Sequence, residues 1–220
     1  MAGLFFVLAA AAGVVAYLKL GTIVKAAIET LGPKVTGTTV RVGSVSLSPL
    51  SGSGRVRGLV IGSPAGYKAP SAFELRSVRM AVDLQSLRGE RILIKEIVVE
   101  GPVITFEGGL GGSNLSRLQK NVESASPAAP ASKSPKPGGE RKIEIGLFKV
   151  TGGKVNVRFT ALGERGLSVA LPDIELRGIG RKSGGVTPSR AARAMLSALT
   201  CSALKAAAGA ASRLPAGAER

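Results

Sequence analysis

The sequence predicts an α+β fold, mainly antiparallel β, in which a one-sided sheet is flanked by an N-terminal and a C-terminal helix. Three observations predict it. Short segments with apolar residues at every second position recur from Gly37 to Glu107 and again from Ile143 to Ile179, the period that returns side chains to one face of a strand. Gly- and Pro-rich clusters separate these segments, as turns do. The two ends of the chain carry apolar residues in longer runs that fit helices.

Residues 3 to 18, GLFFVLAAAAGVVAYL, contain no charge. With Leu20 beyond Lys19 the run is close to the shortest helix that crosses a bilayer, about 17 residues. A signal anchor, a cleaved signal peptide and a buried core helix all fit such a run. A signal peptide needs a basic n-region, and none lies between Met1 and Gly3, although Val14 and Ala16 are small enough to precede a cut. The helical pattern continues past any such site, which favours an uncleaved anchor over residues 1–20. Leu20, Ile23, Val24, Ala27, Ile28 and Leu31 then form an apolar stripe at helical spacing, expected to lie on the sheet or on the bilayer. Gly32-Pro33 is expected to stop it. Lys19, Lys25 and Lys34 follow the anchor, so the positive-inside rule read alone leaves the body in the cytoplasm.

The first β region belongs with the amphipathic helix in residues 21–123. Its strands are marked by Val40, Val42, Val45 and Leu47; Val56, Leu59 and Ile61; Val78, Met80, Val82 and Leu84; Ile92, Ile94, Ile97 and Val99; and Ile104 with Phe106. Gly43 and the Lys95-Glu96 pair each shift the phase by one residue, as a β-bulge does. Ser51-Gly52-Ser53-Gly54, Leu87-Arg88-Gly89-Glu90 and Gly101-Pro102 read as short turns, and connections this short predict a meander of neighbouring strands. Gly108 to Ser113 leads into a short helix that Ser113 or Asn114 can cap. A phosphate-cradling loop is the competing reading, but no Lys-Ser or Lys-Thr follows the last glycine.

Residues 124–140 are a Pro/Ala/Ser linker without core-forming residues. Strands resume in residues 141–186, with Ile143, Ile145, Leu147, Phe148 and Val150 before Gly152-Gly153, and Val155, Val157 and Phe159 after it. Gly-Gly between such runs predicts a hairpin. Leu167, Val169 and Leu171, then Ile174, Leu176 and Ile179, predict two strands around Pro172-Asp173. Thr187-Pro188 opens a C-terminal helix over residues 187–214, with Thr as cap and Pro in the first turn.

Composition excludes several chemistries. The chain lacks histidine, which rules out His-based acid–base catalysis and His metal ligands, and Cys201 alone makes neither a disulfide within the chain nor a Cys-rich metal site. The carboxylates Asp83, Glu90, Glu96, Glu100 and Glu107 show no paired spacing, and no nucleophile elbow, zinc motif or dinucleotide fingerprint occurs. The expectation is a protein that is not an enzyme, with no catalytic residue, metal or cofactor. The net charge of +16 favours polyanions such as lipid head groups, cell-wall polymers or nucleic acid. Aromatic residues are only 4% of the chain, which counts against single-stranded nucleic acid.

Several segments, taken in order, resemble the AsmA-like family of bacterial envelope proteins. They are Ile23–Tyr67, IKEIVVEGPVITFE at Ile94–Glu107, GGSNLSRLQKNV at Gly111–Val122, IGLFKVTGGKVNV at Ile145–Val157, LPDIELRGIG at Leu171–Gly180 and GGVTPSRAARAML at Gly184–Leu196. The resemblance implies an inner-membrane anchor with the body in the periplasm, a curved β-groove with an apolar concave face, and a part in outer-membrane biogenesis through phospholipid transport. It brings no enzymatic residues. On this reading the partner is membrane phospholipid, and the lipid-contacting residues are Val40, Val42, Val78, Met80, Val82, Ile92, Ile94, Ile97, Ile104 and Phe106. Nucleic acid is not expected as a partner. Nine or so strands cover roughly 40 Å, too little to bridge an envelope, so one copy would be a module rather than a conduit. The alternative is an assembly or scaffold protein acting through protein partners or through its own edge strands, its apolar face being an ordinary core under the two helices.

Overall fold

The computed structural model describes residues 2–109, 112–125, 141–159 and 166–211, with side chains for 19–108, 112–125, 141–158 and 166–209. Over the described residues it is an α+β protein with one open mixed sheet of ten strands and three α-helices. In chain order these are α1 (Ala2–Thr36), β1 (Val40–Ser48), β2 (Ser53–Gly62), β3 (Ser71–Val82), β4 (Arg91–Glu100), β5 (Val103–Gly109), β6 (Gly112–Ser113), α2 (Asn114–Ala125), β7 (Lys142–Thr151), β8 (Gly153–Phe159), β9 (Leu167–Leu171), β10 (Ile174–Ile179) and α3 (Pro188–Ala211).

The strands are not a simple meander. Gly101-Pro102, Gly152-Gly153 and Pro172-Asp173 are kinks inside continuous strands rather than hairpin turns. Ser77 pairs with Glu100 and Glu74 with Val103, three residues apart on both sides, so β4 and β5 follow β3 in one register. Glu100 pairs with Thr151 and Val103 with Lys154, so β4–β5 lies parallel to β7–β8 without a slip. Val150 pairs with Ile174 and Gly153 with Leu171, which continues the register onto β10–β9. The Gly101 N–H donates to the Thr151 carbonyl at 2.9 Å and the Lys154 N–H to the Pro102 carbonyl at 2.8 Å, so the ladder passes through the kink. Nine of the ten strands therefore form six long tracks, with the two-residue β6 folded back on the end of β5, and both β regions of the sequence belong to one sheet.

All six tracks are interrupted at the same level. The pairing between β1 and β2 skips Gly43 and Gly58, and that between β2 and β3 skips Gly58 and Arg76. The line continues through Gly101, Gly152 and Pro172. Gly58, Gly101 and Gly152 hold φ of 62°, 58° and 64°, a region costly for residues with a Cβ. At this seam the apolar phase shifts in every track: Val42 to Val45, Val56 to Leu59, Leu75 to Val78, Val99 to Ile104, Val150 to Val155 and Leu171 to Ile174. The shift visible at Gly43 is thus one point on a seam across the whole sheet. A second line at Lys95, Gly146 and Gly178 crosses β4, β7 and β10. Because open space surrounds a Cβ placed at Gly152, Gly152→Ala is expected to lose only about 1 kcal/mol, the backbone cost of φ above zero, measured as a shift in the urea midpoint without a change in m-value.

Helix α1 does not end at Gly32-Pro33. It runs on to Thr36, and the Gly37 N–H, at φ 67°, donates to the Pro33 carbonyl at 2.9 Å. Pro33 removes one backbone donor near the end of the helix, and the αL residue at Gly37 closes the last turn. The expected apolar stripe is divided: Leu20, Val24 and Ile28 are half-buried, whereas Ile23, Ala27 and Leu31 are exposed. Helix α1 lies along the free edge of β1. The Val42 N–H donates to the Glu29 carboxylate at 2.8 Å, and Lys25 Nζ donates to the Gly43 carbonyl at 3.1 Å. Side chains of α1 thereby occupy edge groups that would otherwise invite another strand.

Strand β3 starts at Ser71, earlier than the alternation suggests, and Leu84 leaves it for a 3-10 turn, Gln85–Arg88. Of the linker, Ser124 and Ala125 belong to α2, and residues 126–140 lie outside the described residues. The main core lies between the sheet and helices α2 and α3, where Ile104, Leu115, Leu118, Val150, Val155 and Ala203 are almost fully buried. Among the described residues no helix is long and apolar enough to cross a membrane. The apolar run 3–18, on which the anchor expectation rests, falls in the part of α1 whose side chains lie outside the described residues.

Candidate functional site

The apolar face of the sheet is organised in rungs that cross the tracks, and the rungs are buried unequally. One runs Val45, Val56, Val78, Val99, Val150, Ile174 by direct pairing. Its last three members are buried and its first three are half-buried. The next rung runs Leu47, Gly54, Met80, Ile97, Phe148, Leu176; Phe148 is 2% exposed and Met80 38%. On the other side of the seam, Val40, Ile61, Phe73, Ile104, Val155 and Val169 form a rung in which Ile104 and Val155 are fully buried.

Helices α2 and α3 account for this gradient. Helix α2 packs on β5 and β6 and α3 across β5, β7, β8, β9 and β10, while α1 sits along β1. Between α1 and α3 the face stays partly open over Val45, Leu47, Val56, Val78, Met80 and Ile97. Of the residues expected to contact lipid, Met80 is exposed in this strip, Val78 and Ile97 are half-buried in it with one side against the main core, and Val82 and Ile92 are half-buried against Ile94, Ile145 and Ala191 instead. Val40 and Val42 are buried on β1, where α1 packs, and Ile104 and Phe106 in the main core. Ile94 is buried with Ile145 and Ala191. Val45, Leu47 and Val56 join the strip without having been singled out, although the phase shift at Gly43 already turned the first two toward the same face as Val40 and Val42.

The GGSN segment has a structural task at the closed end of this face. Ser113 Oγ accepts the Ser116 N–H at 3.2 Å and caps α2. Asn114, fully buried, does something else: its Oδ1 accepts from the N–H groups of Glu107 and Leu115, both at 2.9 Å, and its Nδ2 donates to the Thr105 carbonyl at 2.7 Å. The buried Glu107 carboxylate in turn accepts the N–H groups of Lys68 and Ala69 at 2.9 and 2.6 Å. Strand β5, helix α2 and the loop before β3 are joined through these two side chains.

The opposite face of the sheet is polar and basic. A shallow cavity of about 310 Å³ at β1–β3 is lined by Arg55, Arg57, Arg79 and Glu96 together with Leu47 and Met80 of the strip. Arg55 and Arg79 are direct cross-strand partners, a like-charge pair that β-sheets disfavour, and Arg79 is joined to Glu100 at 2.6 Å. Asp83 accepts the Gln85 N–H at 2.9 Å and stands 3.9 Å from Lys95. Among the described residues no three Asp, Glu or Cys side chains gather closely enough to hold a metal ion. Cys201 is exposed on α3. Comparison with models of known families, with curated proteins and with solved structures finds no match to this chain.

Proposed function

We propose that the chain is a membrane-anchored envelope protein of AsmA-like type whose sheet forms a β-groove that binds phospholipid, or helps to transfer it, in outer-membrane biogenesis. On this reading residues 1–20 anchor it in the inner membrane and the body stands in the periplasm. The observation that carries the proposal is the open apolar strip between α1 and α3. A face that served only as core would be covered along every rung, yet Met80 and its neighbours on β1–β3 are not. The seam supports a groove, since the strands change direction there at one common level, through glycines at positive φ in three of the tracks. An acyl chain laid on Val, Leu, Ile and Met side chains recovers about 0.8 kcal/mol for each CH₂ removed from water.

Native mass spectrometry on the full-length protein, extracted gently from its own membranes, tests this. The expected result is a population carrying adducts at phospholipid masses. A bare-protein mass under conditions that preserve lipid on control membrane proteins would overturn it. The scaffold reading would use the outer edge formed by β9 and β10, which ends the sheet opposite β1; Pro172-Asp173 breaks that edge into two short pieces, as guarded edges are broken, and so favours the lipid reading over strand addition.

A further inference from the structure

The sheet has two ends, and one of them carries an unusual surface. At that end lie the β1–β2 turn, the β3–β4 connection, the starts of β4 and β7, and the chain between β10 and α3; the pairing of Arg91 with Lys142 and of Ser48 with Ser53 fixes this. Three leucines stand out from it: Leu50 is 92% exposed, Leu87 42% and Leu84 38%. Arg88, Lys142, Arg181 and Lys182 are exposed at the same end. The acids in the β3–β4 connection are Asp83, which faces Lys95, and Glu90. This end of the sheet therefore carries both exposed apolar tips and exposed bases.

Helix α1 points to the same end. A Cβ at Gly32 would meet the Val40 side chain at 2.9 Å, and one at Gly21 would overlap the Val45 carbonyl. Eleven helical residues and five extended ones both rise about 16 Å, so α1 and β1 run side by side in opposite directions. The chain preceding Lys19, which by sequence is apolar and uncharged from Gly3 to Leu18, therefore leads toward the leucine-tipped end. Leu47 and Met80 of the open strip lie next to it, since Leu47 pairs with Gly54 beside the β1–β2 turn.

We propose that this end of the sheet sits on a bilayer bearing anionic phospholipid, with Leu50, Leu84 and Leu87 in the interfacial zone and the Arg and Lys side chains of the same end on lipid phosphates. Apolar side chains at interfacial depth and bases at head-group level are the chemistry by which proteins lie on such a surface. The inference deepens the lipid-groove reading and rests on its membrane anchor: the strip would then open at the bilayer itself, and a lipid could move between the two without crossing water.

The test uses full-length Cys201→Ser protein reconstituted in phosphatidylcholine vesicles with or without phosphatidylglycerol. Single spin labels are placed by Leu50→Cys, Leu87→Cys and, at the opposite end, Lys68→Cys. In anionic vesicles the labels at 50 and 87 are expected to be about threefold less accessible to a water-soluble nickel chelate than the label at 68, and correspondingly more accessible to oxygen. Omitting phosphatidylglycerol, or introducing Arg88→Gln, Arg181→Gln and Lys182→Gln together, is expected to remove most of that difference. Equal nickel accessibility at 50, 87 and 68 in anionic vesicles overturns the docking, whatever native mass spectrometry finds in the strip. Docked tips on a protein that carries no lipid adduct would support the docking and overturn the groove.

Discussion

Asn114→Ala is expected to lower the unfolding free energy by about 3 kcal/mol and the melting temperature by about 10 °C. The reason lies in what the amide leaves behind. Without it the Glu107 N–H and the Thr105 carbonyl lose their partners in a site that water does not reach, and an unsatisfied buried polar group costs about 1–3 kcal/mol. Asn114→Asp keeps the acceptor but loses the donor to Thr105 and sets a charge near the buried Glu107 carboxylate, so it is expected to rescue little. Ser113→Ala removes only the cap and is expected to cost about 1 kcal/mol. Thermal melts of the three variants check the order; equal losses at 113 and 114 would remove the joining role assigned to Asn114.

Met80→Asp is expected to abolish phospholipid adducts while leaving the fold intact, because its side chain is 38% exposed in the strip and a carboxylate there stays hydrated. Desolvating that charge beneath an acyl chain costs several kcal/mol, more than the few CH₂ contacts near one side chain return. Ile104→Asp is the contrast. Ile104 is fully buried in the main core, so its replacement is expected to unfold the protein rather than to empty a groove. Circular dichroism with native mass spectrometry separates the two: a folded, lipid-loaded Met80→Asp protein would remove the strip from the lipid-binding surface.

Much of the fold was legible because its signals are local. Alternation located the strands, and Thr187-Pro188 located the start of α3. The phase shift at Gly43 was legible too, but its meaning was not: a single strand cannot reveal that Gly58, Gly101 and Gly152 stand beside it in space. The same limit misassigned Gly152-Gly153. A glycine at φ 64° serves a kink as well as a hairpin, and only the partners of β7 and β8 distinguish them. For the candidate site, sequence supplied the face and not its coverage. Ile104 and Met80 are both apolar and both turn inward by period, yet one lies in the main core and the other in the gap between α1 and α3. Burial on a sheet face is decided by where helices from distant parts of the chain come to rest.

The parallel pairing of β4–β5 with β7–β8 also has a consequence for how the protein folds. Strands β1 to β4 join through short connections, so their ladders close small loops and can form early. The parallel ladder joins residues such as Ile94 and Ile145 from opposite sides of the linker, and the entropy of closing that long loop must be met before any of its contacts form. The second half of the sheet therefore has a finished edge to grow on only after the first half is in place. Until then β4 and β5 present the apolar rungs of Ile97, Val99 and Ile104 with one side unpaired, the interval in which this chain is most prone to associate with another copy of itself.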